Sequence, residues 1–251
     1  MISHWSRVRA TLFLLTAALP LLPSATSAQS GQGFLFHRPM LHVGFDLGYT
    51  VAHAQGRLLN HARDQLTLDR SDFDASSFGV QLGVRVSRRF DVGLDLRFSE
   101  SDERSEMRDW VDLDFQPIEQ STMFRRIPLA VSGRYYLRDR GRAISQLAWV
   151  PAKWAPFVGG GFGLTWYKFE QTGDFVDVMT LDIIRLTIES DGTAPTAHVL
   201  AGVDVSINPR FLWTLEGRYA VGHARTGYSF DYANLDLGGF QATVGVAVRF
   251  F

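Results

Sequence analysis

Cysteine is absent from the 251 residues. Disulfide scaffolds, thiolate zinc sites, cysteine nucleophiles and iron–sulfur ligation are excluded together. Lysine is nearly absent too: Lys153 and Lys168 are the only two, so almost all positive charge is Arg. Neither sign of charge is in excess, with 25 Lys and Arg against 26 Asp and Glu. A nucleic-acid-binding domain needs a basic excess to meet phosphates, and that class is set aside. Beyond residue 28 no apolar run approaches the roughly 20 residues of a transmembrane helix. What the chain does hold is 46% hydrophobic residues, 13% aromatics and 23 Gly. That composition builds a core and is not that of a disordered polymer.

Residues 1–28 read as an export signal. Arg7 and Arg9 form a positive start, Ala10 to Leu22 an apolar run, and Thr26-Ser27-Ala28 a small-residue cleavage site. The apolar run is too short to span a bilayer and is broken by Pro20 and Pro23. Cleavage is expected after Ala28, leaving a mature domain over 29–251.

The mature chain alternates apolar and polar residues with a period of two. Phe78, Val80, Leu82, Val84 and Val86 interleave with Gly79, Gln81, Gly83 and Arg85. After Ser87-Arg88-Arg89, Phe90, Val92, Leu94, Leu96 and Phe98 interleave with Asp91, Gly93, Asp95 and Arg97. Such alternation marks strands with two unlike faces, and the short break marks a hairpin turn. Equivalent patterns begin near Leu41, Ile127, Val158, Val199, Phe211 and Phe240. Eight strands result, an even number that suits a closed antiparallel barrel. Phe175 to Ile188 alternates as well, with Asp191-Gly192 as a turn signal. It either extends two strands above the membrane or adds a pair, giving ten.

The polar face separates a barrel from a soluble sandwich. It carries Gly beside matched charges: Asp46, Arg85, Asp95, Arg97, Arg134, Asp204, Glu216, Arg218 and Arg249. Small residues next to long charged ones fit a narrow lumen that must be filled. Aromatics on the apolar face fall in two belts. Tyr49, Phe78, Phe98, Trp166, Tyr219 and Phe240 form the upper girdle; Phe90, Tyr135, Phe211, Trp213 and Phe250 form the lower. Eight residues along a strand span about 26 Å, or roughly 20 Å of height when tilted, close to the apolar band of an outer-membrane barrel. The expected fold is all-β: an antiparallel eight-stranded transmembrane β-barrel.

Loop lengths orient it. Ser87–Arg89 and Asn208-Pro209-Arg210 are periplasmic turns, and 53–76, 100–122, 171–194 and 225–238 are long extracellular loops. Residues 138–154 break this rule as a long periplasmic segment, holding either a short helix or a miscounted strand.

The sequence resembles the small outer-membrane β-barrel family, in its OmpA/OmpW-like branch. The resemblance rests on the export signal, Pro156-Phe157-Val158-Gly159-Gly160-Gly161, Ala201-Gly202-Val203-Asp204 to Ile207-Asn208, Glu216-Gly217-Arg218-Tyr219, and Gly239 to Phe251 with its terminal Phe. It implies location in the bacterial outer membrane after export and contact with outer-membrane lipid and lipopolysaccharide. It also implies recognition of the C-terminal strand by the barrel assembly machinery. Arg249 stands in phase with Phe251, so either Phe250 anchors the strand or a bulge shifts Phe251.

The inward charges read as an ion-pair plug or as a gate in a narrow channel. Buried charges are costly unless paired, and an eight-stranded barrel leaves little free lumen. His42 and His198 point inward without an acidic ligand set, so no metal and no cofactor is expected. His223 has no neighbouring Ser and does not make a lipid-modifying site. Asp69, Asp72 and Asp74 lack the Gly and distal Glu of a calcium loop and read as a solvated acidic loop. Gly159, Gly161 and Gly163 leave room for Arg side chains or water. The expected function is a monomeric, non-enzymatic barrel, structural or passing small solutes. The alternatives are a barrel enzyme acting on outer-leaflet lipid, a loop-mediated adhesin or receptor, and a soluble ligand-binding sandwich.

Overall fold

Eight antiparallel strands pair edge to edge into a ring. In chain order they are β1 (Leu41–Ala52), β2 (Ala75–Arg85), β3 (Phe90–Val111), β4 (Pro117–Tyr136), β7 (Trp154–Val176), β8 (Ile183–Ser206), β9 (Phe211–Arg225) and β11 (Gly239–Phe250). Each pairs with the next, and β1 closes on β11 from Leu41↔Phe250 to Ala52↔Gly239 without a register shift. Closure satisfies every strand ladder internally, which a sheet surrounded by lipid requires. The structure is a computed structural model describing residues 33–112, 114–145, 148–176, 182–227, 230–231 and 233–250. All but Gly33 belong to one unit, Phe34–Phe251. The expected export signal and Phe251 lie outside the described residues. No described helix is long and apolar enough to cross a membrane.

Period-two patterning places the faces. Phe45, Leu47, Val80, Leu82, Leu94, Phe162 and Leu215 point outward and exposed, while Asp46, Gln81, Asp95 and Glu216 between them are buried. Ten of the eleven expected girdle aromatics are exposed on the outer face; Phe98 is half-buried because it stacks on Phe78 at 5.1 Å between ring centroids. Register sets Phe240 beside Tyr219, and Phe90 beside Tyr135 at the opposite end. Phe45 and Phe162 break a strict two-belt pattern, since both lie between the girdles.

The strand count is eight, with additions outside the ring. Residues 171–176 and 183–194 are a continuation of β7 and β8, paired out to Val176↔Ile183. Asp191-Gly192 is therefore ladder and not a turn: Asp191 pairs with Lys168, and Gly192 lies under the Tyr167 ring. Residues 100–122 are likewise mostly ladder, paired from Ser99↔Arg126 to Glu106↔Glu119. Strands of 20 to 24 residues exceed the roughly 10 residues that cross a bilayer. Each of these four strands is about twice that length.

Among its described residues the segment 138–154 holds no helix, and it meets a ring strand only at Trp154, where β7 begins. It is a small hairpin, β5 (Gly141–Ser145) with β6 (Ala148–Pro151). Trp149 in β6 is 2% exposed, and its backbone exchanges two 2.8 Å hydrogen bonds with Leu35. The guanidinium groups of Arg85 and Arg249 lie over its indole. The hairpin thus covers the mouth of the ring at the end of the short β2–β3 and β8–β9 turns.

At the other end, 53–74 forms a cap. Helix α1 (Arg57–Gln65) buries Leu58, Leu59 and Ala62 on one face, and a 3-10 turn (Arg70–Phe73) buries Phe73. They pack with Phe124, Phe169, Leu235 and Leu237 into the largest apolar cluster of the molecule. A short strand, β10 (Asn234–Asp236), pairs with β9 beside the cap. The expectation of a solvated acidic loop is overturned. Asp72 closes the 3-10 turn on the Asp69 N–H, and Asp74 accepts the Ala52 N–H at 2.8 Å. These carboxylates hold backbone; they do not encircle a cation.

Candidate functional site

The lumen is stratified along the strands. Its centre holds three carboxylates and three guanidinium groups, contributed by β1, β3, β4 and β9. Glu216, whose side chain is fully buried, receives Arg97 Nη2 at 3.0 Å, Arg134 Nη2 at 2.8 Å and Arg218 Nη2 at 3.1 Å. Arg97 also reaches Asp46 at 2.9 Å, and Arg218 reaches Asp95 at 3.0 Å. Gln81 bridges the set, donating to Asp46 at 2.8 Å and accepting from Arg134 at 2.6 Å. Gln241 accepts from Arg97 at 3.1 Å and donates to Ser77 at 2.8 Å. The set is neutral as a whole, and charge-assisted hydrogen bonds offset the cost of burial.

Glycine makes the packing feasible. A Cβ at Gly79 would stand 2.9 Å from the Asp46 carboxylate and 3.0 Å from the Arg97 side chain. One at Gly83 would fall 2.0 Å from the His42 ring. Of the glycines of β7, Gly161 faces His198, while Gly159 faces Leu200 and lies against its ladder partner Arg134.

Of the nine inward residues read from the sequence, six meet at this centre: Asp46, Asp95, Arg97, Arg134, Glu216 and Arg218. The other three sit in a separate layer at the end of the ring that carries the β5–β6 hairpin. Asp204 accepts from Tyr136 Oη and Thr214 Oγ1, both at 2.8 Å. Arg249 donates to Ser206 Oγ at 2.9 Å, and Arg85 to its own turn at the Ser87 carbonyl, 3.1 Å away. Arg140, from below the ring, enters this layer to bind Asp91 and stack on Tyr136. No periodicity announces Arg140, because it lies outside the ring strands. Gln81, Gln241, Ser132 and Asp91 were in the inward phase all along; charge matching passed over them because three are neutral.

Arg126 is a seventh inward guanidinium of another kind. It is 4% exposed, stacks on Phe124 at 4.8 Å, and makes one long bond to the Phe73 carbonyl at 3.4 Å. Its Nε has no partner.

The chemistry of the lumen is that of packing. Ser132 donates to Asp95 and lies 2.9 Å from His198 Nε2. A catalytic triad needs His between Ser and the carboxylate; here Ser stands between the other two. His42 lies 3.9 Å from Asp91, in the layer beside the β5–β6 hairpin. His223 is exposed on the outer face, opposite Asp236. Among the described residues no three His, Asp or Glu side chains could hold a metal ion together.

The sequence matches, over residues 12–250, the family described as outer membrane protein beta-barrel domain. No curated protein matches it. Solved structures that resemble it are small barrels at low identity. Neisserial surface protein A shares 13% identity, covers 84% of this chain and 97% of its own, with a TM-score of 0.42. The outer membrane protein OprG of Pseudomonas aeruginosa shares 10%, covers 85% and 97%, with a TM-score of 0.45. Outer Membrane Protein W of E. coli shares 16%, covers 85% and 99%, with a TM-score of 0.38.

Proposed function

Because the chain belongs to the outer-membrane β-barrel domain family and so resides in the bacterial outer membrane, we propose that it serves there as a closed structural barrel. The observation that carries this reading is Glu216 held by three guanidinium groups across the lumen. That knot ties β9 to β3 and β4 through the barrel interior. The cap over 53–74 and the β5–β6 hairpin cover the two mouths. Opening a water path requires breaking several buried, charge-assisted contacts together, each of which loses its compensation when parted. The extracellular half of β3, β4, β7 and β8 then forms a rigid platform above the lipid. The chain is exported after cleavage behind Ala28, acts as a monomer, and offers β11 to the assembly machinery through Phe250, whose ring faces lipid in unbroken register.

Single-channel conductance of the refolded chain in a planar bilayer tests the proposal. The expected trace is quiet, with folding shown by heat-shifted mobility on a gel. Glu216→Gln, which loosens the knot, is expected to introduce small irregular openings. Steady openings in the unmodified protein would replace the structural reading with passage of small solutes. Release of fatty acid from lipopolysaccharide by the refolded protein would replace it with the enzymatic one.

A further inference from the structure

Charge is segregated along the barrel axis. The periplasmic stretches 36–40, 85–91, 137–154, 204–210 and 249–250 hold ten Arg or Lys against three Asp. The extracellular stretches 53–74, 99–126, 167–194 and 223–238 hold ten against twenty Asp or Glu. Within the basic end lies a cleft of about 540 Å³ between the β2–β3 turn and the β5–β6 hairpin. Arg38, Arg85, Arg88 and Arg142 line it, with Trp149 and Asp139. None of these four arginines has a carboxylate within 4 Å among the described residues. Asp139 is already engaged: it takes Arg89 Nε at 2.8 Å, and that hydrogen bond holds its carboxyl below the usual range. The cleft therefore presents about four uncompensated positive charges in a volume typical of small-molecule sites.

We propose that this cleft binds the phosphate of an anionic phospholipid from the periplasmic leaflet. Guanidinium forks match phosphate oxygens in pairs. The cleft lies on the inner side of the end of β2, and lipid begins across the strand: Val84 and Val86, on the opposite face from Arg85, are 45% and 63% exposed, and Ile144, two residues beyond Arg142, is 64% exposed. A headgroup seated among the arginines sends its acyl chains round the β2–β3 turn, past Arg88, to the apolar face of β2. A zwitterionic lipid brings its own cation and gains less there. The occupant also ties the hairpin to the ring, since Arg142 belongs to one and Arg88 to the other.

The test is lipid retention measured by native mass spectrometry on the full mature chain. The protein is extracted from vesicles of phosphatidylcholine containing phosphatidylglycerol. One phosphatidylglycerol is expected to be retained in preference to phosphatidylcholine. Arg88→Gln combined with Arg142→Gln is expected to lower retention about thirtyfold, at about fivefold per arginine near an anionic surface. Arg104→Gln, on the extracellular side, should leave it unchanged, and all variants should keep the heat-shifted mobility of the folded barrel. Equal retention of the two lipids, or undiminished retention in the double variant, overturns the proposal. Displacement by soluble glycerol phosphate at equal concentration would make this a site for free phosphoesters. Displacement by a disaccharide-peptide fragment of the cell wall, but not by glycerol phosphate, would assign it to peptidoglycan. Either displacement also overturns the lipid assignment.

Discussion

Arg218 and Arg126 are both inward arginines, yet their surroundings differ. Arg218 is flanked by Asp95 and Glu216 at 3.0 and 3.1 Å. Arg126 has no carboxylate within 4 Å, and its contacts are an aromatic face and one carbonyl. Removing Arg218 leaves three buried carboxylates with two guanidinium groups, and Asp95 keeps only Arg134, at 3.9 Å. Arg218→Leu should cost about 3–5 kcal/mol, the usual loss when one partner of a buried pair is removed. Arg126→Met should stabilise by about 1 kcal/mol or more, because an unpaired buried charge is replaced by an apolar chain of similar length. Arg104→Leu, exposed on the outer face of β3, should stay within about 0.5 kcal/mol of the parent. Urea midpoints of the three variants give the order directly, and comparable midpoints for Arg218→Leu and Arg104→Leu would count against the lumen assignment. The sequence supplied the phase of each arginine but not its partners. Arg85 and Arg249 share the inward phase with Arg218; their height on the strand decides that they meet Trp149 and not a carboxylate.

The cap is the element least legible beforehand. Its acidic residues suggest a solvated loop, while Leu58, Leu59, Ala62, Leu66, Leu68 and Phe73 are what bury it. Leu58, Leu59, Ala62 and Leu66 carry a helical spacing that was readable in the chain. Their partners Phe124 and Phe169 are isolated aromatics among polar inward residues of the same strands, Gln120, Thr122 and Arg126 on β4 and Gln171 on β7. No run of apolar inward residues on either strand announces the cluster. Arg108 of β3 fastens the cap, donating to the Arg63 carbonyl at 3.1 Å and the Leu66 carbonyl at 2.7 Å. It satisfies carbonyls left open at the end of α1 and places positive charge at the negative end of the helix dipole. Leu59→Ala should loosen the cap by about 2–5 kcal/mol, the usual cost of truncating a fully buried Leu. The expected outcome is rapid proteolytic nicking within 53–74 with the barrel's heat-shifted mobility retained. Arg108→Ala should act the same way and more weakly. Loss of the heat shift in either variant would mean that cap and barrel unfold as one.

At the scale of the molecule the charge asymmetry and the strand lengths point the same way. The proposed orientation sets the long acidic end outward and the short basic end toward the periplasm. An epitope inserted after Phe115, at the exposed β3–β4 turn, should be labelled by antibody on intact cells. One inserted between β5 and β6 should be labelled only after the outer membrane is opened. The opposite pattern would invert the orientation.

The sequence by itself determined the ring. Strict alternation fixes which side chains face lipid, and a closed antiparallel sheet is what satisfies the backbone of such strands in a membrane. It also determined the short turns, since two or three polar residues between alternating runs leave room for nothing else. Tertiary structure alone decided how the lumen is filled and closed. A period of two gives the side of the sheet but not the height, and pairing across a barrel depends on the stagger between strands. Glu216 meets Arg97 and Arg134, 119 and 82 residues away along the chain. Arg140 and Trp149 reach the mouth from a hairpin outside the ring. Such contacts are set by closure in three dimensions, which no local pattern encodes.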